Sequence, residues 1–236
     1  MCFSAEASFA VGLPLIPAGA YCVWAAALKK PSFIGLAVIP ICFSIQQISE
    51  GFVWLAMEHS DAAQTRAASL VYLFFALAFW PWWFSVVTAI MEPIPRRKWI
   101  FAALGVVTTV WFWILYYPLL VGPESLLGTQ VLHHSIRYRF AGLPIYQYVS
   151  EWWLRGCYFL SVAAPPLLAS ETGLSKAPMI VLGASAVLAS VLFDHAFVSV
   201  WCFFGAILSI YLCVIFYRLS AVASVPQMEG SQTNAA

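Results

Sequence analysis

Long apolar runs separated by short polar breaks dominate the chain. The runs cover approximately 5–27, 33–57, 66–91, 98–121, 149–170, 177–194 and 197–218. Each approaches the roughly 20 residues an α-helix needs to cross a bilayer. The last two almost merge. As one helix, 177–218 would reach roughly 60 Å, about twice the hydrocarbon thickness. The chain must fold back there, and Asp194-His195 is the polar break available. The pattern predicts an all-α polytopic membrane protein, a seven-transmembrane-helix bundle formed by residues 1–220. The polar tail 221–236 is expected to be disordered.

One connection is long. Within 122–148, "IRYRF" alternates Ile136, Tyr138 and Phe140 with Arg137 and Arg139, a period-two strand signal. The "AGLP" that follows turns the chain. A short hairpin or cap over the mouth of the bundle is expected. In the sixth segment, "LGASAVLAS" is rich in small residues, which favours close helix packing. Trp152 and Trp153 stand where interfacial anchors belong.

Composition supports a bilayer as the solvent. Of 236 residues, 63% are hydrophobic and 9% charged, against roughly 25% charged in soluble domains. The net charge of +1 gives no footprint for nucleic acid. The first segment lacks a basic region before it and reads as a retained helix, not a cleaved signal. Lys29, Lys30, Arg96, Arg97, Lys98, Lys176 and Arg218 fall on one face, and Arg66, Arg137 and Arg139 on the other. The positive-inside rule then puts the N-terminus outside and the C-terminus in the cytoplasm.

Polar residues within the apolar segments are the candidate chemistry, and they gather in the outer half. "SIQQISEGFVW" carries Gln46, Gln47 and Glu50 at i, i+1 and i+4, with Trp54 a turn above. One helical face can carry all of these. Interhelical hydrogen bonding is one use for such a face. A ligand or proton site is the other, because ionisable groups in a membrane are costly and rare. Arg155 lies at nearly the depth of Glu50. Facing helices would let the two form an ion pair, with Glu151, four residues before Arg155, as the competing partner.

Cys2, exposed as a terminal amine and thiol if Met1 is removed, has metal-ligand or nucleophile chemistry. With His134 and Cys202 it makes the candidate metal set. Cys2 and Cys202 are expected to pair or share a ligand. His133 and His134 point to opposite faces of a strand. His134 shares the phase of Ile136 and Tyr138, which would let it face the bundle, but a solvated loop histidine is the favoured reading because no metal-ligand spacing is present. Asp194-His195 is read mainly as a polar turn. Lys29, Lys30, Lys98 and Lys176 sit at interfaces, so no retinal Schiff base is expected. No metalloprotease, hydrolase-elbow or P-loop motif occurs.

"MCFSAEASF", "QQISEGFVW" and "FVSVWCFF" together resemble a family of bacterial integral-membrane proteins grouped as a domain of unknown function. The resemblance runs over essentially the whole chain. It implies a bacterial cytoplasmic-membrane protein and no particular activity. It marks Cys2, Phe3, Ser4, Gln46, Gln47, Glu50, Gly51, Trp54, Ser199, Trp201 and Cys202. The expected function is binding or sensing of a small ligand in an outward-facing polar pocket around Glu50 and Arg155. Gln46, Gln47, Trp54, Ser199 and Trp201 are its other expected contacts. A membrane enzyme using Cys2, Glu50 and the loop histidines, with a metal, is the alternative. A small-solute or proton transporter is the third reading, disfavoured by the scarcity of polar residues in the inner half.

Overall fold

A computed structural model describes residues 4–132, 134–140, 142–170, 176–192 and 196–222. The fold is helical, with one two-stranded hairpin. Five helices are long and apolar enough to cross a membrane: Ala5–Lys29, Pro31–Glu58, Ala62–Met91, Pro95–Val121 and Phe197–Arg218. The predicted fifth and sixth segments are shorter or more polar. The fifth, Glu151–Leu168 (α8), holds Glu151, Arg155 and two prolines, and the sixth, Ala177–Leu192 (α9), has 16 residues. Phe197–Val222 (α10) follows, and the expected break at Asp194-His195 lies outside the described residues. The tail beyond 222 also lies outside them.

The first helix, Ala5–Lys29 (α1), starts because Ser4 caps it: its side chain accepts the N–H of Ala7 at 3.2 Å. The second pass comprises a 3₁₀ turn, Ile34–Ala37 (α2) and Ile39–Glu58 (α3). Glycines set its spacing to α1. A Cβ on Gly12 would meet Ile48 at 3.0 Å, and one on Gly19 would meet Ile41 at 2.5 Å. On α3, Gly51 leaves room for the ring of Phe9. The two helices thus run antiparallel at near-backbone contact, the small-residue packing that bilayer helices use. α10 packs against both, and Gly205 receives the ring of Phe43.

Two helices contain π-helical turns with a common cause. Ala62–Leu73 (α4) passes through Phe74–Phe79 into Trp80–Met91 (α5), and Pro95–Thr108 (α6) passes through Phe112–Tyr116 into Tyr117–Val121 (α7). A proline follows each: Pro81 and Pro118. Proline has no N–H and its ring clashes with the carbonyl four residues earlier, so the ladder widens there. Trp80 N–H accordingly bonds Phe75 rather than Ala76. The Ala76 carbonyl has no proline N–H to accept, and the Tyr158 hydroxyl of α8 donates to it instead. The two π-helical turns pack on each other.

Gly128–Leu132 (β1) and Ser135–Arg139 (β2) form the antiparallel hairpin, with Thr129 opposite Tyr138 and Val131 opposite Ile136. Ile136 and Tyr138 are buried beneath it, while Arg137 and Arg139 face away. Tyr138 stacks on Tyr72 of α4 with centroids 5.0 Å apart, and Thr129 shares a hydrogen bond with Ser69 at 3.1 Å. The strand expected from "IRYRF" is present. His134 is not directed at the bundle, as its strand phase would have allowed: it is exposed in the turn, with φ 58°. A two-residue turn needs left-handed backbone there, which breaks the strand phase. His133 lies outside the described residues.

At the opposite end, buried Glu92 ties the exits of α5 and α8 together. It accepts N–H groups of Ser170 at 2.9 Å and Ile94 at 3.3 Å. Burial raises its pKa, but the Ser170 and Ile94 donors and the charge of Arg97 more than offset this and hold the carboxyl below its usual range. A depressed carboxylate stabilises the fold above its unfolded pKa of roughly 4.3, and that contribution disappears as pH falls through the folded value. Glu92→Gln should cost about 1.5–3 kcal/mol near neutrality. In thermal melts taken from pH 7 downward, the gap between wild type and variant should close below about pH 4.

Candidate functional site

Below the hairpin is a pocket of about 240 Å³. Ile136, Tyr138 and Phe140 roof it; Glu151, Leu154, Arg155 and Tyr158 of α8 form one wall. Phe197, Trp201 and Cys202 of α10 form the other, and Ala76, Leu77 and Leu115, all in the π-helical turns, lie at the bottom. The widened turns therefore shape the pocket floor. The rings form a connected lining. Trp201 stacks on Phe197 at 5.7 Å and meets Tyr158 edge-on at 6.1 Å. Its indole N–H donates to the Leu182 carbonyl at 3.3 Å, which fixes its orientation.

Arg155 supplies the polar end. Its side chain is 17% exposed, its guanidinium lies 4.8 Å from the Phe197 ring centroid, and it pairs with Glu151 at 2.6 Å. Arg137 and Arg139 add positive charge around the same pocket. Tyr146, in the loop before α8, also lines it. Burial, then the Glu151 charge, push its phenol up to about 12 against the opposing effect of Arg155. Tyr146 therefore presents a neutral O–H in this pocket across the physiological pH range.

The expected pairing of Arg155 with Glu50 is not made. Arg155 takes Glu151, one turn earlier on its own helix, and neither Glu50 oxygen has a partner at normal hydrogen-bond geometry. Equal depth was the basis of that expectation, and depth says nothing about which way a side chain faces round its helix. The partner four residues away on the same helix needs no interhelical alignment.

Glu50 instead sits in a second polar region, fully buried between α1, α3 and α10. The motif residues of α10 divide between the two regions. Trp201 lines the pocket. Ser199 is buried beside Glu50. Cys202, on the same helical face as Ser199, belongs to both: it lines the pocket, has Tyr72 and Gln46 in hydrogen-bonding reach, and has Glu50 nearby. Gln46 is fixed by the Trp80 indole N–H, which donates to its side-chain oxygen at 3.0 Å. Gln47 is buried on the face towards α1, where its Cβ lies 3.2 Å from the position a Cβ on Gly12 would take. Trp54 stands one turn above Glu50, its indole N–H buried.

The expected metal set is not assembled by the described residues. His134 is exposed in the hairpin turn, Cys202 is buried in the pocket wall, and Cys2 lies outside the described residues. The proposed Cys2–Cys202 pairing falls outside them for the same reason. No group of three or more His, Cys, Asp and Glu that could hold a metal occurs among the described residues.

Sequence reasoning missed the pocket's aromatic lining, namely Tyr158, Phe197 and Tyr146. A signal existed for Tyr158. It follows Arg155 by three positions, so the two share a helical face. Phe197 had one too, since it opens "FVSVWCFF" and precedes Trp201 by four positions, whereas Tyr146 is brought in by tertiary packing and had none. No curated protein and no solved structure matches the chain. The model of one family matches residues 1–227, and the chain therefore belongs to the Family of unknown function (DUF6629).

Proposed function

We propose that the protein binds a small organic anion with an apolar or aromatic body in the hairpin-roofed pocket. The observation carrying this reading is the pocket itself: a connected aromatic lining with Arg155 at its polar end and Glu151 as the one carboxylate among its described lining residues. Its volume, about 240 Å³, is a little below the roughly 300–1,000 Å³ usual for small-molecule sites, which limits the ligand to a small molecule. The rings accept the body and the guanidinium of Arg155 meets the charged end. The Tyr146 phenol adds a directional donor.

In this reading residues 1–220 form one domain of seven spans in the bacterial cytoplasmic membrane, α8 and α9 being the two short ones. The pocket opens on the outer side. The Lys and Arg distribution supports the orientation. A periplasm-active reporter fused to the C-terminus should be silent; strong activity would place the pocket on the cytoplasmic side.

The binding claim is tested by thermal shift of the purified protein against small aromatic and aliphatic carboxylates. A compound that stabilises the wild type should lose roughly tenfold or more in affinity with Arg155→Ala. It should lose all effect with Ala196→Phe, because Ala196 lines the pocket beside Phe197 and the added ring would fill it. Equal stabilisation of all three proteins would contradict the reading.

A further inference from the structure

Several buried polar atoms of α1 and α3 have no hydrogen-bond partner at normal geometry among the described residues. They are Ser8 Oγ, Gln46 Nε2, Gln47 Nε2 and Oε1, both oxygens of Glu50, and Trp54 Nε1. The side chains of Ser8, Gln46, Gln47 and Glu50 are fully inaccessible. A buried polar group left unmatched is costly, and buried polar groups in folded proteins are almost always satisfied. The Ser199 hydroxyl beside Glu50 and the Cys202 thiol within reach of Gln46 answer part of this need, and a bound species would match the rest.

The donor set identifies that species. Gln46 Nε2 is a donor without ambiguity, because the oxygen of the same amide already accepts from Trp80. Trp54 Nε1 is also a donor. Gln47 offers one donor and one acceptor, Glu50 two acceptors, and Ser8 either. A bare metal cation would satisfy the oxygens and leave N–H groups facing positive charge. An anion would meet the carboxyl lone pairs. Water both donates and accepts, and buried waters in proteins take this role.

Charge completes the argument. Among the described residues no cationic side chain faces Glu50. On α1, Glu6 is exposed and Lys29 is at the far end. On α4, Arg66 donates to the Leu119 carbonyl at 3.0 Å. On α10, Arg218 is at the far end, and α5 carries no charged residue. On α3 itself Glu58 lies at the exposed end. The titratable neighbours are Cys202 and, beyond it, Tyr72. An uncompensated charge at this depth is expensive.

We propose that the junction of α1, α3 and α10 is a hydrated proton-binding site, in which internal water bridges the unmatched groups and the Glu50 carboxyl carries an exchangeable proton. The proton passes between the carboxyl oxygen and water, and no other bond changes. The site does not depend on the ligand reading of the neighbouring pocket, although Cys202 borders both.

Infrared difference spectroscopy of the full-length protein in lipid nanodiscs tests this. At pH 7 the wild type should show the carbonyl stretch of a protonated carboxylic acid, absent from Glu50→Gln. The band should shift when D₂O replaces H₂O. Glutamate labelled with ¹³C at the side-chain carboxyl should move the same band in unmutated protein, so a misfolded variant does not decide the outcome. A carboxylate band at this position, a band indifferent to D₂O, or stabilisation of the wild type by sodium over choline would each overturn the proposal; the last would make the junction a cation site.

Discussion

Gly19→Val is expected to lower the stability of the detergent-solubilised protein by roughly 3 kcal/mol, at the upper end of overpacking costs. The reason is contact with backbone as well as side chain. A Cβ at Gly19 would stand 2.5 Å from Ile41 Cγ1 and 3.0 Å from the Ile41 backbone nitrogen. A rotamer change can relieve the first contact but not the second. α1 must then move away from α3, and it carries the fully buried Ser8. Gly156→Ala is the matched control, because nothing lies within 4 Å of the Cβ it would add. Helix propensity makes that change neutral or stabilising by up to about 1 kcal/mol. Equal effects from the two substitutions, measured by thermal or denaturant unfolding, would mean that α1 and α3 are not in near-backbone contact.

Tyr138→Ala is expected to unlatch the hairpin and leave the bundle folded. Tyr138 is a buried ring stacked on Tyr72 at 5.0 Å, and removing a buried aromatic ring costs about 3–5 kcal/mol. The helices pack far more on one another than on the hairpin, so the loss falls mainly on the hairpin's closed state. A shift of about 3 kcal/mol raises the open population by roughly 100-fold. Trypsin reads this directly, because Arg137 and Arg139 flank the substituted position and already face outward. Cleavage there should accelerate by about that factor while the thermal transition of the bundle moves little. Unchanged cleavage would show that the hairpin is held elsewhere, by the Ser69–Thr129 contact or by Ile136.

Much of this arrangement was legible in the sequence because it follows from local rules. Apolar run length gave the helices, period-two alternation gave β2, and "SIQQISEGFVW" marked the buried polar face. Ser4 in the opening motif is a helix cap, a role its sequence position allows. What escaped depends on rotation about helix axes and on tertiary contact. Arg155 and Glu50 were expected at one depth but do not face each other, so a pocket centred on both resolved into two regions meeting at Cys202. The π-helical turns had a sequence cause in Pro81 and Pro118. The consequence, a freed Ala76 carbonyl taken by Tyr158, required knowing that α8 passes beside it. His134 turned outward because a tight turn, not the strand, sets its backbone.

Native mass spectrometry of the protein released from gentle detergent measures the central claim most directly. The wild type should retain a small organic anion as a discrete added mass, lost on mild activation. Ala196→Phe, prepared in parallel, should appear at the bare protein mass. Charging the wild type with a carboxylate found by thermal shift should restore one equivalent and no more. A wild type that takes up no small anion, or a filled-pocket variant that binds as well as the wild type, would contradict the account.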